Sequence, residues 1–151
     1  LAFVFVKLYP VFKTHNPRKR GFIMKDLKEL LTVDAPAIAV LFDLFLDQPA
    51  VENDLGATAA VESVRHIFIQ QWSKLEDATT SEQLRAAIHS ASGVIVLIEA
   101  LLHCKAFAND GEEVDCFISA LSGVTRDFVR ALDLTVYSME KTSELLSGVM
   151  S

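Results

Sequence analysis

In the last third of the chain, apolar and small residues recur at alternating steps of four and three: Val114, Ile118, Leu121, Thr125, Phe128, Leu132, Thr135, Met139, Thr142, Leu146 and Val149. This spacing puts one residue per turn on one side of an α-helix and leaves the other sides to polar groups. In a strand, where side chains alternate every second residue, the same positions would scatter over both faces. The stripe lasts about five heptads and predicts one helix of about 36 residues, about 54 Å long. A greasy stripe of that length needs a second helix to cover it. Gly123 is the expected kink, because glycine costs about 1 kcal/mol in a helix interior.

The segment before it repeats the pattern at Leu84, Ile88, Ala91, Ile95, Ile98 and Leu102. Residues 94–102, VIVLIEALL, are apolar almost all round, which predicts a central helix with Glu99 needing a partner or a route to solvent. Start signals are clear. Thr79 with Glu82, or Thr80 with Gln83, fits a capping box ahead of a helix running to about Phe107. Asn53 or Asp54 suits the cap of a helix ending near residue 77, and Asp34 that of a helix ending before Pro49, with Pro36 in its first turn. FIMKDLKELL reads as a short helix with Phe22, Met24, Leu27 and Leu30 or Leu31 inward, and Asp110 with Glu113 repeats the capping logic. Short links force neighbouring long helices antiparallel. The fold class is therefore all-α: an antiparallel bundle of about five helices with a long C-terminal helix.

Charge divides the chain in two. Through residue 28 there are seven basic side chains against Asp26, a net of +6, whereas the remainder carries −12. A basic arm over residues 1–21, centred on Arg18, Lys19 and Arg20, thus precedes a helical domain over 22–151. Such an arm suits an acidic protein partner or the chain's own acidic body. Nucleic acid is disfavoured, since the body would repel a phosphate backbone. The mean hydropathy of +0.32 is high for a chain this size, which points to a rich core or to apolar surface meant for a partner. No run of about 18 uncharged apolar residues is present, so no membrane-spanning helix is expected. Two cysteines and the absence of a glycosylation sequon suggest a reducing, intracellular compartment, cytoplasmic or nuclear. A first residue of Leu1, not Met, suggests a processed product or a piece of a longer chain.

Chemistry-bearing patterns are few. His66, His89 and His103 fall on predicted helices, no two of them three or four residues apart on one face. Adjacent His103 and Cys104 diverge by about 100°. No metal site, haem or other cofactor is expected. Cys104 and Cys116 flank the ANDG turn and could approach one another, but helix axes about 8–10 Å apart exceed what a disulfide spans, so two free thiols are expected. No phosphate-cradling glycine loop or nucleophile elbow occurs, and Glu112, Glu113 and Asp115 suit the positive end of a helix dipole better than catalysis.

One stretch, LRAAIHSASG, resembles the motif of histidine-containing phosphotransfer domains, with His89 at the acceptor position and Gly93 four residues on. That resemblance implies a helical bundle presenting one exposed imidazole to a receiver domain. Ser92 stands where that family carries a lysine.

Three functional expectations follow. The leading one is a non-enzymatic interaction module, a scaffold, adaptor or subunit, associating through apolar helix faces with another chain or a second copy. Phe128, Leu132, Met139 and Leu146 are its contact residues, and threonines on the seam set its register. The second is phosphotransfer at His89. The third is an apolar-ligand carrier lined by Phe42, Phe45, Phe68, Ile95 and Ile98.

Overall fold

The computed structural model describes residues 26–107 and 111–150, which form helices and turns with no strand among the described residues. Helix α1 (Leu27–Glu29) runs through a π-helical turn (Leu30–Asp34) into α2 (Ala35–Leu46). A short α3 (Pro49–Glu52) leads to α4 (Leu55–Asp77), then α5 (Ser81–Ala100), two 3-10 turns (Leu101–His103 and Lys105–Phe107), and α6 (Gly111–Met150).

The ends are set by local chemistry. Asp54 accepts from the Ala57 N–H at 2.8 Å, opening α4. Thr80 Oγ1 accepts from the Gln83 N–H at 3.2 Å, while Gln83 Oε1 reaches back to the Thr79 N–H at 3.0 Å. Each such cap is worth about 1 kcal/mol. Asp34, however, is not a cap: its backbone is helical and its side chain makes no capping bond. Pro36 lacks the N–H that would close the α-turn onto Thr32, and its ring crowds that carbonyl. The chain widens by one residue there, with the Ala35 N–H reaching Leu30 O, and the rod continues from Leu27 to Leu46. Phe22, Met24 and Asp110 lie outside the described residues.

Helices α2, α4, α5 and α6 form a closed ring in which each packs on the next and α6 returns to α2. Antiparallel register between α5 and α6 shows in two cross-links. Arg85 Nε donates to Glu140 Oε1 at 2.8 Å, and Glu99 Oε1 accepts from Ser122 Oγ at 2.8 Å while pairing with Arg126. As numbers rise along α5, they fall along α6. Glu99, the charge in an apolar run, thereby gains the partners it needs.

Rings fill the centre. Phe45 stacks on Phe117 with centroids 5.4 Å apart and on Phe107 at 5.9 Å, and Phe68 lies 5.9 Å from Phe42 and 6.4 Å from Phe128. Helix α5 accordingly stops at Ala100, short of Phe107. Cys104 turns extended, and the two 3-10 turns fold Phe107 back onto Phe45; a straight helix would have carried that ring away. Helix α6 passes Gly123 without a break and runs 40 residues, about 60 Å. Its seam is buried from Val114 through Thr135, with Val136 the last buried residue, and residues 141–149 are all exposed.

Candidate interaction surface

The apolar helix α5 is not central. Its core face is Leu84, Ala87, Ile88, Ala91, Val94 and Ile98, continued by Leu101; Ile95 is half-buried and Leu102 points outward. The span Ser81–His103 is long and apolar enough, by length and composition, to cross a membrane; an 18-residue window within it has mean hydropathy 1.6 and is 33% buried. Its other side faces away from the bundle.

That outward side has a periodicity of its own. Ala86, His89, Gly93, Val96, Ala100 and His103 follow one another at steps of three and four, and all six are exposed, Val96 at 66%. Ala86, Gly93 and Ala100 repeat at seven residues and leave a shallow trough flanked by Val96 and Leu97. A Cβ built on Gly93 would meet nothing within 4 Å, so the trough is open at its midpoint. The only groups along the stripe that can carry charge are the imidazoles of His89 and His103.

Neighbours of His89 are already engaged. The Ser92 hydroxyl donates to the His89 carbonyl at 2.6 Å. Arg85, one turn earlier, is turned to Glu140, whose hydrogen bond raises the guanidinium pKa and lowers that of the carboxyl. The imidazole stands exposed on the stripe, as the resemblance to phosphotransfer domains implies, without a lysine one turn on.

The remaining residues singled out from sequence separate widely. Phe128 and Leu132 are inside this chain's own core and offer nothing to a partner, because α2, α4 and α5 already cover that part of the seam. Met139 and Leu146 lie on the same stripe beyond its covered part and are exposed. Arg18, Lys19 and Arg20 fall outside the described residues. Cys104 is half-buried, Cys116 exposed, and both are free thiols. Of the residues named for an apolar ligand, Phe42, Phe45, Phe68 and Ile98 are buried in the core, with Phe42 against Phe68 and Phe45 against Phe117, and Ile95 is half-buried.

An open groove of about 680 Å³ lies between α2 and α4, lined by Asp43, Glu62, Ser63, Arg65 and His66 among others. Most of its polar groups already have partners. Arg65 Nε sits 2.8 Å from Asp43 Oδ1 as an ion pair off hydrogen-bond geometry, His66 bonds Gln70 at 2.9 Å, and the Ser63 hydroxyl donates to Ala59 O. Among the described residues no group of three His, Cys, Asp or Glu side chains is placed to hold a metal ion.

The α5 trough is present in the sequence only as a spacing of small residues. Attention to the greasiest positions selects the core face, and a second stripe made of small residues adds little to hydropathy. Compared with known proteins, the chain matches no family model, no curated protein and no solved structure.

Proposed function

We propose that this protein is a non-enzymatic association module whose outward α5 face docks against α5 of a second copy. The carrying observation is that α5, buried along one face, leaves a second stripe with Val96 and Leu97 exposed on the other, Val96 at 66%. Small residues at a seven-residue repeat let two helix backbones approach closely, and a two-fold axis beside Gly93 would set Val96 of each copy against Gly93 of the other. Exposed side chains along the stripe carry no fixed charge, so their desolvation costs little. Light scattering across a concentration series tests it. The expected result is a mass rising from one chain to two, with Val96→Glu held at one chain; a single-chain mass at every concentration contradicts it.

A second reading is favoured by one observation, the exposure of His89 beside the open position at Gly93. There a receiver domain would lie on the same trough and pass a phosphoryl group from its aspartyl phosphate to the imidazole. Label transfer from phosphorylated receiver domains, abolished in His89→Gln, supports this reading. No transfer from any of them removes it and leaves the association proposal standing.

A further inference from the structure

The end of α6 raises a separate question. Beyond Val136 the seam continues in register through Met139, Leu146 and Val149, now exposed at 51%, 61% and 84%. Because the register is unchanged, this part of the stripe still faces the side of α6 on which the bundle lies, over its end. The start of α5 still reaches Glu140 through Arg85, but no described element buries the stripe beyond Val136.

The position of the chain entry is set by antiparallel packing. Phe45 of α2 stacks on Phe117 of α6, and the π-helical turn also packs on α6. Leu30, fifteen residues before Phe45, therefore lies level with Leu132, fifteen residues after Phe117. Asp26 comes level with Val136, where the covering of α6 stops. Asp26, the first described residue after the 25 that precede it, thus stands at the foot of the uncovered stripe.

The composition of residues 1–25 complements that end of the bundle. Residues 1–25 hold six basic and no acidic side chains, and begin with the apolar run LAFVFVKLYPVF. The end of the bundle at Asp26 carries exposed Asp26, Glu29, Glu76, Asp77 and Glu82 against the exposed Lys28 and Lys74, a net negative charge. Lys141, the nearest cation on the overhang, is already paired with Glu144 at 3.1 Å. Reach is ample: the stripe from Val136 to Val149 is about 20 Å long, and 25 residues can span several times that.

We infer that the overhanging stripe of α6 is the docking site of this chain's own N-terminal segment, with Leu1–Phe12 on Met139, Leu146 and Val149 and the basic residues 13–20 over the acidic bundle end. The contact is apolar at one end and electrostatic at the other, so salt weakens only part of it.

Limited trypsin digestion of the full chain tests the inference through its rate of cutting between Lys13 and Arg20. Slow cutting in the wild type is expected, independent of protein concentration and faster at high salt. Leu146→Glu should speed it roughly tenfold, because proteolysis follows the undocked population; Val96→Glu on the far face of α5 should leave it unchanged. Leu146 is already exposed, and equal helicity of the two chains by circular dichroism shows that folding is intact. Equal cutting rates in wild type and Leu146→Glu overturn the inference. So does protection that grows with protein concentration, since a second copy would then be the occupant.

Discussion

Helices α5 and α6 each bury one stripe but differ on their other sides. Helix α5 holds the greasiest run in the chain and leaves Val96 and Leu97 exposed opposite its core face, whereas the more polar α6 keeps most of its apolar residues on or beside the seam, buried from Val114 to Thr135. Hydropathy measures what a helix would gain by burial. Periodicity and the length of its neighbours decide what it gets. Helix α6 meets α2 and α5 along a single stripe, and from Val114 to Val136 that stripe is narrow enough to be covered completely. Helix α5 is apolar on two sides, and a ring of four helices covers only one of them. The uncovered side is where an association partner is expected.

The contrast can be broken by substitution. Leu132→Ala, at a fully buried α6 position, should cost about 2–5 kcal/mol, read as a large fall in the urea midpoint. Val96→Ala, a comparable apolar truncation on the α5 trough, should stay within about 0.5 kcal/mol in the single chain. Equal losses would mean that the outward face is covered within one chain. Thr80→Ala tests whether α5 depends on its start signal, and should cost about 1 kcal/mol through the lost bond to the Gln83 N–H.

Gly93→Ala sharpens the comparison with opposite signs. An exposed helical glycine with free space at Cβ should gain about 0.5–1 kcal/mol of chain stability when replaced by alanine. The same methyl stands where two α5 helices would touch, so association should weaken while the thermal midpoint of the single chain rises. The smallest effect is expected at the α5–α6 cross-link. The hydrogen bond from Arg85 holds the Glu140 carboxyl below its ordinary pKa. A carboxylate depressed in the folded state adds stability above its unfolded pKa, and that contribution fades as pH falls through the lower folded value. Wild type should therefore exceed Glu140→Gln in urea midpoint at neutral pH, with the gap closing on acidification.

Much of the fold was legible because it is written locally. The caps at Asp54 and Thr80, the stop before Pro49 and the seam through Thr135 each follow from spacings within one or two turns. What escaped depends on residues far apart in the chain. Nothing near Phe128 or Leu132 distinguishes them from Leu146; they differ because α2 and α5 are shorter than α6. Phe107 is drawn out of helical register by Phe45, sixty residues earlier. The π-helical turn at Leu30–Asp34 is an intermediate case: Pro36 announced a conflict, which a widened turn resolved without a break. The candidate surface was half legible. His89 and Gly93 drew notice as a motif, but their stripe mates Ala86, Val96 and Ala100 become a surface only once the opposite side of α5 is known to be the core.

A dilution series followed by nitrogen–proton correlation spectroscopy tests the two-faced α5 most directly. The account predicts that amide shifts moving with concentration cluster at Ala86, His89, Gly93, Val96 and Ala100, while those of Leu84, Ala91 and Ile98 change little. Concentration-dependent shifts confined to Leu145–Val149, or none anywhere on α5, would contradict it.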